Sequence, residues 1–378
     1  MFNIQNKIIH FIIIFSIRYL NFIKIKKTQN NNLILIRLDA IGDYILFRNF
    51  ISCLKSNQNY EDYNITLLGN IIWKDLSKNL DENYINEFIW LDKNKFEDNI
   101  LYKIKLFLYL KRKKYELLVS PVHSRDFFIT DSIVFIINAS KKIGSFGDYK
   151  NINPLLKKFS DLFYNQLIYQ NDKHKFEFEN NKYFFEILIN TKINLKKPSI
   201  KNQTAIIYRN YVILFIGAGS QNRKWKTKFF SEVGNFIVDQ LHLNIILCGG
   251  IDDRDQVKVF KNYFHYNFLD MVGKTSLTQM LKFIHNSEFI LTNETSMAHL
   301  AVALNVKNIF VVSNGNHLGR FTPYPKDIYK NYHVIFHKEI YNILSNQEQL
   351  RKCYGFESPF DTNSISVKDV IQSIKINY

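Results

Sequence analysis

Leu33-Ile34-Leu35-Ile36-Arg37-Leu38-Asp39-Ala40-Ile41-Gly42-Asp43 is the stretch on which the fold turns. Four consecutive apolar residues behind the polar pair Asn31-Asn32 read as a strand buried on both faces. Arg37 to Asp43 reads as a loop, and a helix follows to about Lys55. Ile65 to Leu68 and Leu117 to Ser120, the latter stopped by Pro121, read as further strands. This is the βαβ rhythm of a parallel sheet.

The rhythm restarts in the second half. Val212–Ile216, Asn244–Leu247, Phe289–Thr292 and Asn308–Val312 read as strands. Thr227–Leu241, Ser276–His285 and Met297–Leu304 read as helices between them. Asn190 to Thr204 is polar and aperiodic and carries Lys196, Lys197 and Pro198, as a linker does. With 378 residues the chain suits two domains of roughly 150 to 200 residues. The expected division is a segment 1–30, a first domain 31–190, a linker 191–204, a second domain 205–345 and a tail 346–378.

Composition narrows the class. Hydrophobic residues make up 46% and charged residues 22%, which excludes a disordered chain. The formal charge of +16 asks for an acidic partner, whether nucleic acid, anionic lipid or a phosphorylated ligand. No zinc-finger or RNP-like motif supports nucleic acid. Cys53, Cys248 and Cys353 are too far apart for a metal pair or a disulfide framework, which suits a reducing, cytoplasmic compartment. His10 to Ile17 is strongly apolar but is interrupted by Arg18, short of the ~20 apolar residues of a bilayer span. Closed by Lys24, Lys26 and Lys27, the segment suits an amphipathic helix on a membrane surface, with a helix packed on the first domain as the alternative.

Three loops carry candidate chemistry. At Ile41-Gly42-Asp43, glycine permits a sharp turn, and Asp43 is either a helix cap or a carboxylate aimed at an acceptor hydroxyl. Gly217-Ala218-Gly219-Ser220-Gln221-Asn222-Arg223-Lys224-Trp225 follows a strand and precedes a helix. Its small residues expose amides, and Arg223 and Lys224 bring charge suited to a diphosphate. In Thr292-Asn293-Glu294-Thr295-Ser296-Met297-Ala298-His299 a strand feeds a helix start. There the amides of Thr295, Ser296 and Met297 face an anion, Glu294 accepts from sugar hydroxyls, and His299 sits one turn in. Plain capping and a packed histidine are the alternatives. Gly273-Lys274-Thr275-Ser276 lacks the earlier glycine of a P-loop, which would be position 268, a phenylalanine. Asp253-Arg254-Asp255 reads as capping and solvation, so no metal site is expected.

In order and spacing these motifs resemble the heptosyltransferases of glycosyltransferase family nine. The resemblance runs over Leu33 to Asp43, Val212 to Trp225, Gly249-Gly250, Gly273 to Leu277, Asn293 to Ala301 and Gly315 to Pro325. Glu294-Thr295-Ser296 resembles the Glu-Thr-Ser branch of the family, and Cys353-Tyr354-Gly355 resembles its tail in part. The resemblance implies an α/β protein of GT-B fold, with two Rossmann-like domains facing across a cleft. It implies a helix near Val367 to Ile376 crossing back to the first domain. It further implies inverting sugar transfer from a nucleotide-diphosphate sugar, without metal or cofactor, to a lipid-anchored glycan such as lipopolysaccharide at the inner face of the cytoplasmic membrane. Asp43 would be the general base. Gly42, Gly217, Gly219, Ser220, Lys224, Glu294, Thr295, Ser296, Met297 and His299 would bind the donor. A GT-B nucleotide-sugar epimerase and a non-catalytic membrane- or polyanion-binding protein are the rival readings, separated from transfer by acceptor-dependent turnover and by a donor-specific pocket.

Overall fold

A computed structural model of the protein describes residues 4–20, 31–170, 175–201 and 208–378. Lys24, Lys26 and Lys27, and residues 202–204 of the expected linker, lie outside them. The chain forms two compact units. The first takes Met1–Tyr44, Phe50–Lys173 and Asn180–Ile193. The second takes Ile45–Asn49, His174–Glu179 and Asn194–Tyr378.

The first half runs α1 (Ile4–Tyr19), β1 (Asn32–Arg37), α2 (Ile41–Phe47), α3 (Asn49–Lys55) and β2 (Asn64–Asn70). It continues with α4 (Lys74–Asp81), β3 (Glu87–Leu91), α5 (Lys93–Asp98), α6 (Ile100–Arg112) and β4 (Lys114–Ser120). Then come α7 (Ser132–Ile136), β5 (Asn138–Ser145), α8 (Pro154–Asp161), β6 (Gln166–Ile168) and α9 (Glu177–Ile189). The second half runs β7 (Tyr211–Phe215), α10 (Thr227–Leu241), β8 (Asn244–Cys248), α11 (Gln256–Tyr263) and β9 (Leu269–Asp270). It continues with α12 (Leu277–His285), β10 (Phe289–Asn293), α13 (Ser296–Ala303), β11 (Asn308–Ser313) and β12 (Tyr332–Phe336). It closes with α14 (Lys338–Ser345), α15 (Gln347–Cys353) and α16 (Val367–Asn377).

Each unit holds one six-stranded parallel sheet, ordered β3-β2-β1-β4-β5-β6 and β12-β11-β10-β7-β8-β9. Counted from its own first strand, each sheet has the order 3-2-1-4-5-6, the doubly wound Rossmann arrangement. The central strands are buried along nearly their whole length, which is why they read as unbroken apolar runs. The strand order reverses between β1 and β4, and again between β7 and β10. Ligands of such sheets bind beyond the carboxyl ends of the strands at that reversal. Arg37 to Asp43 leaves β1 there, Gly217 to Trp225 leaves β7, and Asn293 to Thr295 leaves β10.

Two details differ from the sequence reading, and a third bears on an alternative it left open. The first helix breaks at Arg48 into α2 and α3. Helix α1 takes the packed position that was the second of its two readings, and its outer side carries exposed Ile8 and Ile12 together with exposed Asn6, Lys7 and Ser16. It docks on α6 and α7 and buries Ile13, Ile14 and Ile17 in the first core. His10 on the same face is fully buried, and its Nε2 lies 2.7 Å from Ser132 Oγ. Among the described residues no helix is long and apolar enough to cross a membrane. Helix α16, expected against the first domain, packs on α10, β11 and β12 of the second unit. Its buried Val370 and Ile374 belong to that unit's core, so its apolar stripe is matched there.

Candidate active site

In the first unit, the loop after β1 is built around a buried cation. The Arg37 guanidinium, almost wholly removed from solvent, meets Asp39 Oδ2 at 3.0 Å and Asp43 Oδ1 at 3.5 Å, and donates to Asn181 Oδ1 at 3.1 Å. Asn70 Nδ2 donates to the carbonyls of Leu38 and Asp39, and Trp73 Nε1 donates to that of Asp39 at 3.1 Å. Tyr44 stacks on Trp73, with ring centroids 4.5 Å apart, and its hydroxyl donates to Asp81. The loop and the first turn of α2 are thus fixed from β2 and α4. Gly42 and Asp43 are the second and third residues of α2, and the Ala40 carbonyl accepts the first amide bond, from Tyr44. Asp43 is therefore not the N-cap. It is a half-buried carboxylate paired with a cation, and it keeps some access to solvent.

In the second unit, one side chain joins the two loops at the strand-order reversal. Buried Asn293 accepts the Trp225 amide at 3.0 Å and donates to the carbonyls of Ile216 and Gly217 at 2.9 and 3.2 Å. Lys224 Nζ lies 2.6 Å from Asp253 Oδ1. The other Asp253 oxygen accepts the Gly250 amide at 2.8 Å. Gly217 is required here, because a Cβ on it would stand 2.7 Å from Asp253 Oδ2. The sequence reading gave Asp253 only capping and solvation. It does cap, but it is also the buried partner that orients Lys224. Gly219 and exposed Ser220 sit in the same loop, and Arg223 Nε folds back onto Ser220 Oγ at 3.1 Å. The Asn222 carbonyl accepts from Asn314 Nδ2 and Thr362 Oγ1, which ties the loop to the end of β11 and to the tail.

At the α13 start, Thr295 is the N-cap, and its Oγ1 accepts the Met297 amide at 3.2 Å. That amide, expected to face a ligand, is taken by the cap. Ser296 opens the helix, where first-turn amides lack intrahelical partners. Met297 is buried beneath it. Glu294 is buried, and Ser313 Oγ donates to its Oε2 at 2.5 Å, which aims the carboxylate. His299 lies in an aromatic cluster, its Nδ1 2.9 Å from the Tyr324 hydroxyl and its ring against Phe321. Burial pushes its pKa down to about 4, so it is neutral at pH 7. The structure places it behind the loop, among its packing, rather than at the loop surface.

Arg37, Asp39, Asn293 and Asp253 were not among the predicted site residues. Two signals bear on them: Asn293 lies inside a quoted motif, and Gly249-Gly250 precedes Asp253 at capping distance.

The family model of glycosyltransferase family 9 (heptosyltransferase) matches residues 153–348, more than half of the chain. The chain belongs to this family. It is thus a glycosyltransferase. The family 9 fold extends across the chain in comparison with solved structures. E. coli heptosyltransferase WaaC with ADP superposes with a TM-score of 0.67 at 14% identity, covering 92% of this chain and 100% of WaaC. A glycosyl transferase family 9 protein from Veillonella parvula gives 0.65 at 16%, covering 92% of this chain and 96% of its own. E. coli ADP-heptose lps heptosyltransferase II gives 0.63 at 14%, with 91% and 98% covered. At such identities the likeness is one of fold, the GT-B fold. No curated protein matches the family 9 chain in sequence.

Proposed function

We propose that this enzyme transfers a heptose-like sugar, with inversion and without metal, from a nucleoside-diphosphate donor to a lipid-anchored glycan. In this reading Asp43 takes the proton of the acceptor hydroxyl, and the oxygen attacks the anomeric carbon. The bond from that carbon to the diphosphate breaks, and its electron pair leaves with the diphosphate. Lys224 and the amides at the α13 start receive the developing charge. Glu294, aimed by Ser313, accepts from donor hydroxyls.

The observation that carries the reading is the Asn293 bridge. It holds a lysine-bearing loop and a helix N-terminus together at the strand-order reversal of one sheet. Related structures hold WaaC with ADP and with ADP-2-deoxy-2-fluoro heptose, which makes an adenosine diphosphate sugar the first donor to try. The net charge of +16 and the exposed apolar face of α1 support a peripheral place on an anionic membrane, where a lipid-linked acceptor resides.

The test is a thermal-shift screen of nucleoside diphosphates and nucleotide sugars, followed by acceptor-dependent turnover. Bound donor raises apparent stability by mass action. A melting temperature unmoved by every diphosphate ligand would remove the donor site. Turnover of donor without any acceptor to an isomeric nucleotide sugar would replace transfer with epimerisation.

A further inference from the structure

The first unit carries a feature that sugar transfer does not use. Helix α1 buries one face, yet its opposite face is also apolar: Ile8 is 56%, Ile12 60% and Tyr19 74% exposed. These residues recur at helical spacing, so they form a stripe. Phe15 at its flank approaches Phe159 of α8, with centroids 6.3 Å apart. One turn to either side of Phe159, Leu155 and Leu162 are 82% and 79% exposed. The apolar face therefore continues from one helix to the next.

At the end of this face lies a group of cations. Arg18 in the last turn of α1 donates to Asn138 Oδ1 at 3.4 Å, and Lys111 in the last turn of α6 donates to the same oxygen at 3.2 Å. Lys142 Nζ donates to the Val134 carbonyl in α7. Among the described residues no carboxylate lies within ion-pair distance of any of the three. Burial lowers the pKa of Lys111, and Arg18 lowers it further. Burial, Arg18 and Lys111 bring Lys142 to about 7. The three helix ends offer roughly half a negative charge each, which leaves the group net positive.

We propose that the outer face of α1, continued by Leu155 and Leu162, docks on a bilayer, and that half-buried Arg18, with buried Lys111 and Lys142 adding charge, meets the phosphate of an anionic lipid headgroup. An apolar stripe beside unpaired cations is the pattern of an interfacial helix. This rests on the peripheral-membrane part of the proposed function, and it locates that contact on one face of the first unit. Because α1 also fills the first core, the contact cannot be tested by removing the helix.

The test is flotation of the full chain with phosphatidylethanolamine–phosphatidylglycerol vesicles and with pure phosphatidylcholine vesicles. The expected result is binding to the first in clear preference to the second. Ile8→Ser with Ile12→Ser, and separately Leu155→Ser with Leu162→Ser, should each weaken partitioning at least ~10-fold at an unchanged melting temperature. Arg18→Gln should abolish the preference for the anionic vesicles at an unchanged melting temperature. Undiminished binding by the serine variants would overturn the proposal. So would conversion of a dimer to a monomer by those variants with vesicle binding intact, which would make a second copy the occupant. Transfer to a soluble acceptor is measured in parallel. Its loss in the parent protein would count against the enzymatic reading and leave the vesicle result standing.

Discussion

Lys224 Nζ sits 2.6 Å from a nearly buried oxygen of Asp253, whose other oxygen is spent on the Gly250 amide. The lysine is thereby held in one place before any ligand arrives, and it remains partly open to solvent. Lys224→Ala should weaken nucleoside-diphosphate binding about 10- to 100-fold, the size of a charge-assisted contact. Gly217→Ala should produce a similar loss indirectly, because its methyl displaces Asp253. Calorimetric titration with ADP checks both. Parent-like affinity in Lys224→Ala would detach this lysine from the donor.

Asp43→Asn should slow transfer at least ~100-fold while donor affinity stays near the parent value. Its melting temperature should fall only slightly. Asp43 is no cap, and Arg37 keeps Asp39 and Asn181 as partners. Loss of a first-turn carboxylate costs about 0.3–1 kcal/mol at an exposed site. Single-turnover kinetics with saturating donor decide it, and a rate within a few-fold of the parent would pass the role of base to Glu294.

Asn293→Ala should destabilise the second unit by about 2–4 kcal/mol, since it strands the buried Trp225 amide and two carbonyls. Denaturant unfolding measures the cost. Donor affinity should fall with it, although Asn293 is itself fully buried.

Acid should unfold the first unit in part through His10. Ser132 donates its proton to the Phe127 carbonyl, so its oxygen accepts from His10 Nε2. Burial, with Lys103 adding to it, lowers the His10 pKa from 6.5 to about 3. The unfolded chain therefore takes up a proton that the folded chain refuses. Stability is complete above about pH 6.5 and declines as pH falls toward 3. His10→Gln, which retains a donor for Ser132, should flatten the dependence of melting temperature on pH between 7 and 4.5. An unchanged slope would remove His10 from the acid response.

The sheets were legible because central parallel strands are buried on both faces and leave unbroken apolar runs such as Leu33 to Ile36 and Phe289 to Thr292. The loops were legible because glycine-bearing stretches, Ile41-Gly42-Asp43 and Gly217-Ala218-Gly219, follow the apolar strand runs. What could not be read was pairing across distance. Lys224 with Asp253 and Arg37 with Asn181 join residues that no local period connects. The docking of α16 was equally hidden, whereas a place on the first domain was one of the two that the sequence offered α1. An apolar helix announces that it will be covered, but its sequence does not name the surface that covers it.

Asn293 and Trp225 fasten the loop of residues 218–224 at its two ends, and all three bonds run to backbone groups. Nothing in that fastening depends on which side chains lie between the posts. The segment is consequently an interchangeable part. A loop of equal span that keeps Lys224 and the course of the backbone at Asn222 would inherit the anchorage, so the side chains between Ala218 and Gln221 can be exchanged without renegotiating the fold beneath them.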